Sequence, residues 1–331
     1  MTLGHERLGP GPKGLVAGLV GALAVVTALL AAPAATAADA RPGPGAAPVP
    51  VPPAPAAPFA VPGPVWAPAD SAPIRPGVLT ETAGGGICTS NFVFAAGGRT
   101  YLGQAAHCAG TGEATETDGC DSGTGPVGTA VTVRGTDGSA RQGRLAYSSW
   151  VTMQQRGETD PDVCQFNDFA LVELAPADVP AVNPSLPFFG GPTGVDADGV
   201  SVGEEVFTYG NSPEGLGFAT LRPKAGVGDV EEGGGFGHQV LTVVPGVPGD
   251  SGGAFVDGGG RAVGVMSTLN LAPLPVSNGV IDVARALDYA REHSGLGRIA
   301  LVPGTERFTA RPADVDPRLL TTPAGPGLGN G

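Results

Sequence analysis

From Asn91 to Thr268 the chain repeats one pattern, short apolar runs rich in β-branched and aromatic residues, each cut off by Gly, Asp, Asn or Pro. "NFVF", "TYLGQAA", "TAVTV", "FALVEL", "EEVFTY", "HQVLTVV", "GAFV" and "RAVGVMST" are such runs. Runs of this length bounded by turn residues predict strands, and their number predicts an all-β sandwich or barrel. One late segment departs from the pattern. In "GVIDVARALDYAREHSG" the apolar positions Ile281, Ala284, Leu287 and Ala290 keep helical spacing, with Gly295 as a stop, so a single helix is expected there. No internal repeat stands out.

The ends of the chain are patterned differently. Arg7 and Lys13 precede an unbroken apolar run from Leu15 to Ala32, which is followed by the small residues "AATAADA". This is the order of a secretory signal peptide, expected over 1–38, with cleavage near Ala37 to Ala40. An uncleaved anchor is the rival, because the run nears the shortest length that spans a bilayer. The A-x-A-like site directly after the run favours cleavage, and then no stable membrane association is expected. On either reading the positive end stays inside and the rest is exported, so a secreted, extracellular location is expected. Residues 39–76, dominated by Pro and Ala, read as an extended linker or propeptide. The folded domain is expected over 77–300, and 301–331 as a disordered tail.

Composition narrows this further. With 56 Gly, 34 Pro and only 15% charged residues in 331, a helical bundle is disfavoured and a turn-rich β domain favoured. A net charge of −13 without any Lys/Arg cluster argues against nucleic acid, and none is expected as a partner, since phosphate binding needs clustered cations. Four cysteines in an exported chain suggest two disulfides in one of three connectivities. Cys88 and Cys108 flank what reads as a strand, a Gly-Gly turn and a second strand. They are therefore paired, leaving Cys120 with Cys164. There is no C-x-x-C pair and no H-E-x-x-H, so no metal and no cofactor are expected.

The chemistry begins at "GDSGG", where Ser251 is surrounded by Gly249, Gly252 and Gly253. A bulged turn would explain one glycine. Several suggest a nucleophile whose neighbouring N–H groups face a ligand. Serine needs a base within hydrogen-bond reach, and the base needs an acid to fix its tautomer and stabilise its cation. His107 in "AAHC", Asp168 in "NDFALVEL" and Ser251 occur in that order, each beside a predicted strand. Each alone is an ordinary turn or surface residue; together they specify acyl transfer. The N–H groups of Gly249 and Ser251 would then hold the developing oxyanion.

"AAHC", "NDFALVEL" and "PGDSGG" resemble the three signature segments of the chymotrypsin-like (trypsin-type) serine proteases, most closely their secreted bacterial branch. "GVMST" is similar to the following strand, whose serine, here Ser267, supports the catalytic aspartate. The resemblance covers about residues 85–295. It implies two six-stranded antiparallel β-barrels with the site in the cleft between them, a C-terminal α-helix, and protein or peptide substrates. It places the base of the specificity pocket at Pro245 and its edge at Leu269, which implies a preference for small or medium apolar residues over Arg or Lys. The pattern also departs from the family. No new N-terminus of the animal type precedes Cys88, where the chain reads "TETAGGGI". Asp250 then needs another partner, which the sequence does not assign; Arg222 is one candidate. Gln104 stands where the family has a small hydroxyl residue.

Two rivals stand beside this reading. "GDSGG" also fits G-x-S-x-G, the nucleophile elbow of α/β-hydrolases, but there the acid and histidine follow the serine. Asp282 and His293 share one predicted helix and the βαβ alternation is missing. The other rival is a catalytically silent binding module on a protease scaffold. It is disfavoured because all three triad residues and both oxyanion donors are present.

Overall fold

The computed structural model describes residues 64–113, 116–215, 221–242, 244–270 and 277–310. The expected signal peptide 1–38, the linker as far as residue 63 and the tail beyond 310 lie outside the described residues. No described helix is long and apolar enough to cross a membrane.

The first half forms one antiparallel ring. β1 (Leu79–Thr82) pairs with β2 (Ile87–Thr89) on one side and with β5 (Ala130–Arg134) on the other. The ladder continues through β6 (Ala140–Ser148), β7 (Ala170–Glu173) and β4 (Arg99–Gln104) to β3 (Val93–Ala96). β2 and β3 are two arms of one bent segment, joined by Ser90–Phe92, so the chain itself carries the ring back to its start. Counting that segment once, the barrel has six strands. Alternation fills its interior, because successive residues point to opposite faces and Val93, Leu102, Val131, Val133, Leu145 and Val172 share the inner one.

The second barrel closes by pairing alone. β9 (Glu205–Tyr209), β10 (Pro223–Glu232) and β11 (Gly237–Thr242) lead to β14 (Ser277–Asp282) and β13 (Arg261–Asn270). β12 (Ala254–Asp257) then pairs with both β13 and β9. A two-residue strand, β8 (Gly194–Val195), adds to β13 in parallel. Val206, Val240, Phe255, Val263 and Val280 fill the interior. A further core joins Phe94 and Phe169 of the first half to Phe207 and Val256 of the second. The Phe94 and Phe169 rings meet edge to face at 5.5 Å, so the barrels are packed together rather than tethered.

Three helices complete the described structure. α3 (Val283–His293) begins later than the periodicity predicts. Val280–Asp282 belong to β14, and the Asp282 carboxylate caps the helix by accepting the Arg285 N–H at 2.8 Å. Two short helices are additional. α1 (Ser149–Arg156) starts at the Ser148 cap and stops at Gly157 in the left-handed region (φ 66°). α2 (Pro161–Phe166) starts at the Asp160 cap with Pro161 in its first turn. The expected domain limits also shift. Ile74 is fully buried and the Ala67 N–H donates to Val182 C=O, so residues 64–76 belong to the packed domain. Past residue 300, β15 (Ala300–Leu301) pairs with β3, and Phe308 lies 5.8 Å from Phe207. Residues 301–310 are thus packed structure, and the rest of the expected tail lies outside the described residues.

Candidate active site

His107 follows β4 on a single 3₁₀ turn, Ala106–Ala109. The next residue, Cys108, is joined to Cys88 at the centre of β2. Asp168 sits between α2 and β7, and Cys164 on α2 is joined to Cys120. Both disulfides have the expected pairing, and each braces the segment that presents one of these residues.

Asp168 holds His107 at two points. The His107 backbone N–H donates to Oδ1 at 2.8 Å, and Nδ1 lies 2.6 Å from Oδ2. Ser267 Oγ, on β13 of the other barrel, donates to the same Oδ2 at 2.6 Å. Asp168 is buried, whereas the His107 ring is 27% exposed toward the cleft. Burial opposes both charges, yet their mutual attraction and hydrogen bond outweigh it. The His107 pKa is therefore raised above its ordinary 6.5 and the Asp168 carboxyl is lowered below its ordinary 3.8.

Ser251 stands on the turn that enters β12. Its carbonyl accepts the Thr89 N–H at 2.8 Å, and the next N–H, of Gly252, donates to Met266 C=O at 2.7 Å. His107, Asp168, Gly249, Ser251, Ser267 and Leu269 all line one cleft of about 860 Å³. Pro245 does not line it; its neighbour Gly246 does. Among the described residues no protein acceptor takes the N–H of Gly249 or of Ser251, so both donors remain available to a ligand.

Several contributors carry no motif. Asp250, buried beside Ser251, pairs with Lys224 on β10 at 3.0 Å, both side chains being at most 4% exposed. Lys224, not Arg222, fills the place left open by the sequence. Asn278 lines the same cleft beside Gly246. Its Oδ1 accepts the Gly246 N–H at 2.8 Å, and its Nδ2 donates to the carbonyls of Gly246 and Thr268, each at 3.1 Å. Trp150 on α1 lines the cleft with its ring 6.4 Å from that of His107. Gln104 is buried and donates to Thr82 Oγ1 at 3.2 Å, so the unusual residue before "AAHC" is accommodated inside the first barrel.

No protein-family model matches the chain, and no curated protein matches it. Among solved structures it is similar to Thermobifida fusca protease A, at 21% identity over 70% of this chain and 99% of that one, with a TM-score of 0.44. It is also similar to a serine protease specific for glutamic acid, at 18% identity over 69% of this chain and all of that one, TM-score 0.42. Cellulomonas bogoriensis chymotrypsin is similar at 17% identity over 69% of this chain and 98% of that one, TM-score 0.41. By its own strand order, two antiparallel barrels with the cleft between them and a C-terminal helix, the chain has the chymotrypsin-like fold.

Proposed function

We propose that this chain is an exported serine endopeptidase that cleaves peptide bonds through an acyl-enzyme on Ser251. One observation carries the reading. A histidine held by a buried carboxylate faces the cleft that also contains Ser251 and two uncommitted N–H donors. Ser251 Oγ attacks the scissile carbonyl carbon as neutral His107 takes its proton at Nε2. Asp168 fixes the tautomer and stabilises the imidazolium. The carbonyl oxygen gains the negative charge opposite the N–H groups of Gly249 and Ser251. His107 returns the proton to the leaving amine as the C–N bond breaks, and water then repeats the sequence to release the acid and restore Ser251.

The substrate backbone has a natural seat. Pairing of β13 with β12 ends at Val265, while Ser267–Leu269 continue along the cleft with their other edge on β14. The open edge suits an extended peptide added as a further strand. At the pocket floor Asn278 presents no charge, and both its amide hydrogens are engaged, so an Arg or Lys side chain entering here would bury an unpaired cation. Small or medium apolar side chains before the cut fit best. Leu269 narrows the entrance.

Hydrolysis of a peptide library by the purified protein, with covalent labelling by a fluorophosphonate, tests the reading. Ser251→Ala should abolish labelling and lower kcat by roughly 10³ or more while the fold persists. Wild-type protein that is folded but neither labels nor hydrolyses would be the silent module instead.

A further inference from the structure

The turn preceding Ser251 is gripped from behind by a segment that takes no part in the chemistry above. Ser212 Oγ donates to the carbonyl of Pro248. The Ser212 N–H donates to Asp250 Oδ1 at 2.8 Å, and the Glu214 N–H donates back to Ser212 Oγ at 3.0 Å. Gly249 has φ of +95°, and a Cβ there would lie 2.9 Å from Pro213 Cδ and 3.0 Å from Ser212 Oγ. Residues 212 and 213 thus press directly on the 248–249 peptide unit.

A trans peptide is planar, with its C=O and N–H pointing in opposite directions. Fixing the Pro248 carbonyl toward Ser212 therefore turns the Gly249 N–H away from Ser212. That N–H has no acceptor among the described residues, and Gly249 lines the cleft. The following peptide is pinned as well, because Thr89 Oγ1 donates to Gly249 C=O at 2.8 Å while accepting the Asn211 N–H at 3.1 Å. Among the described residues the Ser212 hydroxyl is the sole hydrogen-bond partner of the 248–249 unit, so without it no described hydrogen bond opposes rotation of that unit. A rotated unit would aim a carbonyl oxygen, rather than a donor, at the developing oxyanion.

We propose that Ser212 is a positioning residue that latches the Pro248–Gly249 peptide in its donor-presenting orientation and thereby keeps the oxyanion site formed. The proposal rests on the hydrolytic reading of Ser251 and deepens it.

The test combines peptide-amide kinetics with the inhibition constant of a peptide aldehyde, whose hemiacetal oxygen occupies the oxyanion position. Loss of one oxyanion donor lowers kcat by about 10²–10³, so Ser212→Ala, which permits rotation without imposing it, should lower kcat by about 10- to 100-fold. KM should stay within about twofold, and aldehyde affinity should weaken by about the same factor as kcat. Ser212→Thr keeps the hydroxyl and should restore both to within about threefold of wild type. Ser212→Cys keeps the volume but supplies only a weak donor, and carries the same expectation as Ser212→Ala should that variant not fold. Undiminished kcat and aldehyde affinity in folded Ser212→Ala or Ser212→Cys overturn the latch while leaving the hydrolytic reading intact. Equal impairment of Ser212→Thr and Ser212→Ala also overturns it. Wild-type protein that fails to label at Ser251 removes both.

Discussion

Replacing Lys224 by methionine removes the charge that faces Asp250, and with it the hydrogen bond from Nζ to Leu221 C=O at 2.7 Å, while keeping most of the length and volume of the side chain. The pair lies at 3.0 Å with both side chains at most 4% exposed. After the substitution Asp250 keeps two donors, the N–H groups of Ser212 at 2.8 Å and Val247 at 3.2 Å, but no counter-charge. Removing one partner of a buried pair costs about 3–5 kcal/mol, because the remaining charge stays desolvated. For a domain of this size each kcal/mol lowers Tm by about 2–4 °C, so a fall of about 6–20 °C is expected. Thermal unfolding with the disulfides intact, on a Ser251→Ala background to prevent self-cleavage, reads this directly. Arg222, which makes no ion pair among the described residues, is the control, and Arg222→Ala should change stability by no more than about 0.5 kcal/mol. Adding Asp250→Asn to Lys224→Met should recover part of the loss, since the stranded charge is then gone. A Lys224→Met protein as stable as Arg222→Ala would show that the ion pair does not hold the turn.

The cleft itself carries further expected outcomes. The His107 pKa is raised against the opposing effect of burial by the Asp168 charge and hydrogen bond, and His107 must be neutral to accept the Ser251 proton. The rising limb of kcat/KM against pH should therefore have its midpoint above 6.5, and a midpoint below 6.5 would contradict the pairing. The stability contributions have the opposite arrangement. That of His107 is full below pH 6.5 and lost as pH rises through its raised folded-state pKa, whereas that of Asp168, whose pKa is lowered, is lost as pH falls through its folded-state value. For specificity, matched peptides differing only before the cut should give higher kcat/KM for Ala, Val or Leu than for Arg or Lys. Asn278→Asp should raise the relative rate on Lys and Arg peptides by placing a carboxylate at the floor. An unchanged ranking would mean that Asn278 does not contact the entering side chain.

The strands were readable wherever a short apolar run is punctuated at its ends. "FALVEL", "EEVFTY" and "RAVGVMST" all lie within or around observed strands whose consecutive residues are buried on both faces, which writes a continuous apolar run into the sequence. β6 and β10 escaped that reading. The first half of β6, "ARQGR", and the end of β10, "DVEE", are mostly solvent-facing, so their pairing is set by neighbouring strands rather than by their own pattern. The short helices α1 and α2 rest on caps, Ser148 and Asp160, more than on an extended apolar stripe. Just before α3, Ile281 satisfies helical spacing, but with its β-branched neighbour Val280 it is claimed by β14, which pairs with β13 and β11.

The same division runs through the site. His107, Asp168 and Ser251 could be recognised from sequence because each sits in a segment whose local requirements, a turn after a strand, a capped loop, a glycine-rich bend, leave a local signature. The supporting residues leave none. Lys224 reaches Asp250 because it lies within β10, paired opposite Thr208 of β9 with its side chain buried, whereas Arg222 precedes the strand, which begins at Pro223. Asn278 reaches the pocket floor because the β13–β14 register sets it opposite Leu269. Ser212, just beyond the end of β9, is brought against the turn that carries Ser251, and Pro245 stays outside the cleft that its neighbour Gly246 lines. The chain's own order thus determined the strands written as apolar runs and the three groups proposed to do the chemistry, since both are local demands on residue type. Counter-charge, pocket floor and latch depend on which distant backbones are brought within hydrogen-bond reach, and only the closing of the second barrel decides that.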